Sequence, residues 1–503
     1  MQRITMLFGS SLAALCISGC TITPNDLSFR DLEQGYQADR AMILAASQPI
    51  TQPISLSEAI SRALKNNLEQ RVLVFKQSIA SSELAAGKFD MLPKLLAEAG
   101  YDWRNNFSSR YEADYSTPYA IDRDRETNVS IDPKHNTYDL GLSWSLLDFG
   151  ASYYTSKQNA DRLLVANEER RRAMHLLIQN VRVAYWKALA NQKLSSKVSV
   201  AISEAETALD KSRSLVSEKI TSPEESLRYQ RNLLENLRLL ESINRDLSGA
   251  KIELSKLMGV LPGTEFQLSE VSEEFTPLSV DVALLEQYAL FNNTDLREQY
   301  FNVRIAALET RKTLLKMFPN LTFKVGTHYD NDYYMVNHAW NSAGTSLSFN
   351  LMNLLSYSSK KEVAEKTESI EQLKRAALQM TTIAKVHLAV HQYTNALLQY
   401  QRSDDLFNVD NQLEQIAISK TEGNMAGQQR RISANVTTIL SELRRYEAMS
   451  KYAEAVGLLD SSIGHEPLIN SVDDMDLEQL GAIIKQWLAQ DINGIQLPVE
   501  PDV

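Results

Sequence analysis

The chain has 503 residues, 44% hydrophobic and 23% charged, a balance that excludes bulk disorder. That length accommodates two or three ordinary domains or one elongated repeated architecture, and 13 prolines with 18 glycines are too few for a loop-rich all-β protein. A net charge of −11 without a basic stripe argues against nucleic acid as a partner.

Residues 1–20, MQRITMLFGSSLAALCISGC, carry one positive charge at Arg3, an apolar stretch from Ile4 to Ile17, and then small residues. This is the pattern of a secretory signal, too short and wrongly flanked to span a bilayer as a helix. It ends in Ile17-Ser18-Gly19-Cys20, which resembles a bacterial lipobox. That resemblance implies cleavage before Cys20 and covalent lipid on its thiol and new amino group; the alternative is an ordinary signal peptide with a chance cysteine. Thr21 stands where Asp is the usual inner-membrane retention signal, which favours the outer membrane. With Cys16 removed and Cys20 lipidated, no cysteine is left for a disulfide or a thiolate metal site. No run of about 18 apolar residues follows, so any crossing of a membrane would use strands. Residues 20–54 read as lipid anchor and tether.

Ser55-Leu56-Ser57-Glu58 has capping-box spacing and opens a helix expected to reach about Asp90, with Pro93 barring its continuation. LPKLLAEAGYD (92–102) then alternates as a strand, expected at 94–104. Leu95, Ala97, Ala99, Tyr101 and Trp103 point one way; Glu98, Asp102 and Arg104 point the other. Residues 105–136 are polar and unpatterned and include DRDRE at 122–126. In a second strand, expected at 137–148, Leu140, Leu142, Trp144 and Leu146 oppose Asp139, Ser143 and Ser145. From Gly150 no proline occurs until Pro223, room for a helix of about 100 Å. Leu194, Val198, Ala201, Ala205, Ala208, Ser212 and Leu215 keep the 4-3 spacing of a coiled-coil seam, and Leu233, Leu237, Leu240, Ile243, Leu247, Ala250, Leu254 and Leu257 supply the return helix. Equal heptads also suit a cytoskeletal rod.

The plan then recurs. FPNLTFKVGTHYD (318–330) echoes 92–102, with Pro319, Leu321 and Gly326 each 226 residues after Pro93, Leu95 and Gly100, as Asn292-Asn293 follow Asn66-Asn67. Further on the offset is 205: LSWSLLDFGAS (142–152) matches LSFNLMNLLSY (347–357), and LSKLMG ends at 259 where LDSSIG ends at 464. The halves therefore differ by 21 residues between their paired strands, at 105–136 and about 331–341. Further strands are expected at 320–330 and 343–353. The organisation is a signal at 1–19, a tether at 20–54, repeats at 55–280 and 281–464, and a C-terminal segment at 465–503 with a short helix near 475–490.

Alternating strands also suit a soluble sheet with one face on a core. Four strands cannot close a barrel alone, yet a membrane forbids open edges. Three copies pooling their strands would make twelve, within the range of outer-membrane barrels. The duplicated plan resembles the TolC family of outer-membrane efflux and export channels, in its OprM-like lipoprotein branch. The resemblance covers about residues 55–464 and rests on LPKLLAEAGYDW, FPNLTFKVGTHYD, LSWSLLDFG and LSKLMGVLPG. It implies a mainly α protein with membrane β: a homotrimer with a twelve-stranded barrel continued by an α-helical coiled-coil tunnel through the periplasm. A periplasmic adaptor and an inner-membrane pump, of the resistance-nodulation (RND) or ABC type, would dock at the far tip.

No Walker A, GxGxxG or GxSxG motif occurs, and neither an enzyme nor a cofactor is expected. His387 and His391 are four apart on a helix, but Leu388 stands where a zincin needs Glu, so they read as helix-surface residues. The tip turns are expected at KITSPEE (219–225) and NMAGQQR (424–430), placing Glu224, Glu225, Gln428, Gln429, Arg430 and Arg431 at a periplasmic gate or adaptor-docking surface. TolC is described as closing with aspartate rings in the second turn; this sequence has glutamines and arginines there. Glu225 facing Arg430 or Arg431 is one expectation, and a solvated turn the other. A periplasmic coiled-coil scaffold lipoprotein without channel activity is the rival reading of the whole chain.

Overall fold

A computed structural model describes residues 26–46, 48–110, 116, 128–217, 223–270, 276–420, 425–469, 472, 474–490 and 492–497. The signal segment, Cys20 and DRDRE lie outside the described residues. In chain order the elements are α1 (Phe29–Ala46), α2 (Leu56–Asn66), α3 (Leu68–Gly87), β1 (Lys94–Trp103), β2 (Ser108–Arg110), β3 (Asn128–Ile131), β4 (Lys134–Ser145), α4 (Leu146–Ser217), α5 (Pro223–Ser248) and α6 (Ala250–Leu257). The second half supplies α7 (Val282–Asn292), α8 (Thr294–Leu315), β5 (Asn320–Asp330), β6 (Ala339–Ser348), α9 (Met352–Ser419), α10 (Met425–Ile463) and α11 (Leu477–Leu488). Part of the expected tether is thus helical: Ser28 Oγ accepts from Asp31 N at 3.2 Å and opens α1.

The single helix expected from 55 to 90 is two helices broken at Asn67. Its backbone turns extended (φ −65, ψ 121), and its side chain accepts from Glu69 N and Gln70 N, restarting the helix. Asn293 makes the same break between α7 and α8, capping Leu296 N at 3.0 Å. Each asparagine also reaches across its repeat. Asn67 Nδ2 donates to Leu257 O (3.2 Å) and Asn293 Nδ2 to Ser462 O (3.0 Å), the ends of the two return helices. Gly259 and Gly464 follow those ends with φ of 66 and 79, and a Cβ on Gly259 would fall 2.6 Å from Asn66 O. The recurrent Asn-Asn and terminal Gly are therefore two halves of one lock, made twice.

At Ser55 only half of the expected box forms. Ser55 Oγ accepts from Glu58 N at 3.2 Å, but the Glu58 carboxylate pairs with Arg62 at 2.8 Å. The reciprocal box is found instead at α11, between Asp476 and Gln479.

The main sheet has the order β1-β4-β5-β6, antiparallel throughout, and β2-β3 form a separate hairpin within the long first loop. The second strand ends at Ser145, not 148, because Ser145 Oγ caps Asp148 N (3.1 Å) while Asn320 Oδ1 accepts from Leu147 N (3.3 Å). The fourth lies at Ala339–Ser348, not 343–353. Pairing with β5 extends it back to Ala339, and Asn350, capping Met352 N at 3.0 Å, turns the chain into α9. The 72-residue α4 and 68-residue α9 leave the sheet directly, each roughly 100 Å long.

The expected seam is realised over its described residues, the side chain of Leu215 lying outside them. Leu194, Val198, Ala201, Ala205 and Ala208 of α4 are buried against Leu233, Leu237, Leu240, Ile243 and Leu247 of α5, and Ile432, Val436, Ile439 and Leu443 of α10 join them. Nearer the sheet, α11 closes a core with α2: Leu480, Ile484 and Trp487 pack with Ile54, Ala59, Ile60 and Ala63. A matching core holds Leu285 and Ala289 of α7 against Val386, Ala389 and Tyr393 of α9.

Candidate functional site

Register sorts the sheet into two faces. On one, Leu95, Ala97 and Ala99 of β1 align with Leu142, Leu140 and Tyr138 of β4, then with Val325, Thr327 and Tyr329 of β5 and Ala343, Asn341 and Ala339 of β6, while Tyr101 and Trp103 continue the face opposite Asn136 and Lys134. These side chains have no cover: Leu95 is 66% exposed and Leu347 73%. Tyr101, Trp103, Tyr138 and Tyr329 lie toward the loop end of this face, and Trp144 with Phe323 toward the helix end, rings 6.3 Å apart. An apolar band bounded by aromatic residues at both ends suits a lipid-facing surface.

The other face is polar and runs in rows: Lys94–Ser143–Lys324–Gly344, then Leu96–Gly141–Gly326–Ser342, then Glu98–Asp139–His328–Trp340. His328 is clamped across three strands. Its Nδ1 pairs with Asp139 Oδ1, its Nε2 lies 2.8 Å from Ser342 Oγ, and its ring stacks on Trp340 with centroids 5.2 Å apart.

The outer strands are unpaired on one side: β1 meets only β4, and β6 only β5, among the described residues. With four antiparallel strands, β1 and β6 run in opposite directions. A second copy can therefore add edge to edge and continue the antiparallel pattern. The helices also leave apolar stripes uncovered. Leu406, Val409, Leu413 and Ile416 repeat at 3-4-3 spacing on the distal part of α9, and Leu68, Val72, Phe75 and Ile79 at 4-3-4 spacing on α3, all exposed.

At the tip, Glu224 reaches Arg228 within α5 (2.8 Å) and both side chains stand in solvent. Arg431 Nη2 lies 3.3 Å from Glu204 Oε2, joining α10 to α4; Arg430 is exposed and Gln428 half-buried. Glu225 and Gln429 sit in the first turns of α5 and α10, but their side chains lie outside the described residues, as do 218–222 and 421–424. Two further braces clamp the same bundle, Lys197–Glu442 (2.6 Å) between α4 and α10 and Arg445–Asp404 (2.6 Å) between α10 and α9. Heptad reading did not find these braces, because each joins residues far apart in sequence whose register only the folded bundle reveals. His387 Nε2 contacts Glu286 Oε1 of α7 at 2.7 Å, and His391 is exposed.

A charged belt lies between sheet and tip. Arg171 joins Glu168 and Glu466 (2.6 Å to the latter), and Glu168 also takes Arg297 (2.8 Å). His175 Nε2 stands 3.2 Å from Glu466 Oε2, out of line for a hydrogen bond. Burial opposes ionisation of Glu466, but its contacts with the His175 ring and the Arg171 guanidinium outweigh it and hold the carboxyl below its usual range.

No family profile matches the chain, and no curated protein matches it in sequence. Solved structures do. The CmeC outer-membrane channel of Campylobacter jejuni superposes with a TM-score of 0.65 at 13% identity, over 87% of this chain and 90% of that one. The outer-membrane protein VceC of Vibrio cholerae gives 0.59 at 12%, over 81% and 96%. The MtrE outer-membrane channel of Neisseria gonorrhoeae, in its open state, gives 0.58 at 14%, over 81% and 90%. The fold is that of the TolC family of outer-membrane channels. In this TolC fold the polar row with His328 occupies the strand layer, the Asn–Gly locks lie at the ends of the return helices, and Arg431–Glu204 lies at the tip end of the long helices.

Proposed function

We propose that the chain is the outer-membrane channel subunit of a tripartite efflux or type I secretion system, conducting substrates handed over by an inner-membrane pump and a periplasmic adaptor. The observation that carries this reading is the four-stranded sheet with two open antiparallel edges and an uncovered apolar face, continuous with α4 and α9. Three copies close twelve strands into a barrel that satisfies every edge and turns the apolar face to lipid. The stripe on distal α9 then meets a neighbouring protomer and completes the wall of a helical tunnel. Covalent lipid at Cys20 would anchor the assembly. No catalysis is assigned to it; the pump supplies the energy.

The test is a cysteine at Gln428 used to crosslink partners in living cells, with captured proteins identified by mass spectrometry. Capture of an adaptor with its pump supports the channel. An RND pump would mark small toxic compounds as cargo, and an ABC pump secreted proteins. Capture of cell-wall or scaffold proteins alone, where a known export complex is trapped in parallel, together with solubility after removal of the lipid anchor, would replace the channel with a scaffold.

A further inference from the structure

We propose that Glu98, Asp139 and His328 set the charge selectivity of the barrel lumen, and that His328 makes this selectivity depend on proton concentration. The inference rests on the barrel reading above, in which the polar face of the sheet lines the pore.

The three residues are aligned on adjacent strands, Glu98 on β1 opposite Asp139 on β4, and Asp139 opposite His328 on β5. Trp340 of β6 completes the row and carries no charge. Around a threefold axis the row occurs three times, so the lumen holds two carboxylates and one imidazole from each copy. The neighbouring row is nearly bare, with Gly141 and Gly326 beside it. Gly326 leaves the imidazole room: a Cβ there would stand 3.1 Å from His328 Nε2, a tight contact that would press on the ring. A lumen wall of leucine, glycine and serine, all uncharged, next to the carboxylates leaves them as the dominant local charge.

Other charged groups share this face, including Arg104 just past the loop end of β1. Lys94 and Lys324 form a separate row four residues nearer the helices, about 13 Å away along the strand. That exceeds the screening length of about 8 Å at physiological salt, so the two rows act on a permeating ion in series. On the loop side, Asp330 of β5 lies two residues from His328, and Asp102 pairs with His135 at 3.5 Å. No titratable side chain of β6 lies in these rows.

His328 is built for a change of charge. Histidine is the ordinary side chain that titrates between about pH 5 and 8. Here one ring nitrogen meets a carboxylate, the other a hydroxyl that can either donate or accept, and the ring face lies on an indole that favours a cation. Both protonation states can therefore be held without moving the ring. With His328 neutral the row carries two negative charges per copy; with it protonated, one. Cation preference should therefore weaken as the medium acidifies.

The test is the reversal potential of the purified protein in planar bilayers under a potassium chloride gradient, at neutral and mildly acid pH. The wild type is expected to lose cation preference on acidification by roughly twofold or more. His328→Gln, which keeps hydrogen-bonding capacity without the charge, should hold the neutral-pH preference at both values. His328→Lys should show the acid-type preference at both, and Glu98→Gln with Asp139→Asn should lower preference at neutral pH. A conducting pore in which His328→Gln retains the full wild-type shift, or in which His135→Gln abolishes it, overturns the switch and leaves the channel standing. A protein that is soluble and forms no pore overturns the channel and the switch together.

Discussion

Asn67 and Asn293 each do two things with one side chain. The carbonyl caps the helix that follows, and the amide donates to the end of a return helix far along the chain. Replacing either with alanine removes the cap and leaves a buried carbonyl unsatisfied, at an expected cost of about 1–2 kcal/mol from the cap alone. Serine should recover the cap but not the long-range bond. Thermal unfolding of the detergent-purified protein would rank asparagine above serine above alanine at both positions; equal stability of serine and asparagine would show that the cross-repeat bond contributes nothing. Sequence alone marked these residues as recurrent landmarks without their purpose. The purpose appears only with the glycines that share the lock, whose positive φ lets the return helix end against the asparagine pair. The His328–Asp139 pair was hidden for a related reason: the two residues sit 189 positions apart and became partners only through strand register.

At the scale of elements, two leucines with similar heptad spacing carry different loads. Leu240 is fully buried inside the protomer between α4, α5 and α10, while Leu413 is 55% exposed on distal α9. Leu240→Ala should destabilise the protomer by about 2–5 kcal/mol. Leu413→Asp should leave protomer unfolding nearly unchanged and lower the temperature at which a trimer dissociates. Unfolding by circular dichroism and trimer survival on gels separate the two effects, and the reverse pattern would contradict the tunnel-wall role of α9. The long helices and their seam were legible because apolar residues repeat over many turns. The strands were legible by alternation, but their ends were not. Ala339-Trp340-Asn341 shows no alternation of its own and is strand because β5 pairs with it; Leu146 fits the alternation of β4, yet Ser145 caps a helix there. Tip electrostatics were legible least of all: Arg431 meets Glu204 of α4, a residue outside either expected turn.

For the whole molecule, the two repeats are not independent. Helix α11 follows the second repeat but packs on α2 of the first, where Leu480 and Ile484 are fully buried. Lys65 Nζ also donates to the carbonyl of Met475, just before α11. Ile484→Ala should therefore loosen the first repeat, by about 2–5 kcal/mol. Hydrogen exchange should find that loss of protection in α2 and the middle of α4, and a loss confined to the second repeat would refute the coupling.

That clasp has a consequence in time. Lys65 and Met475 stand 410 positions apart, and synthesis runs from the N-terminus. Through nearly all of its production the chain holds Ile60 and its neighbours without the helix that covers them. The first repeat emerges early and is completed late. During that interval its apolar seat is open to any chaperone that binds exposed hydrophobic surface, and arrival of α11 evicts the occupant. A truncated product, however well made up to that point, keeps the seat vacant and remains recognisable as unfinished.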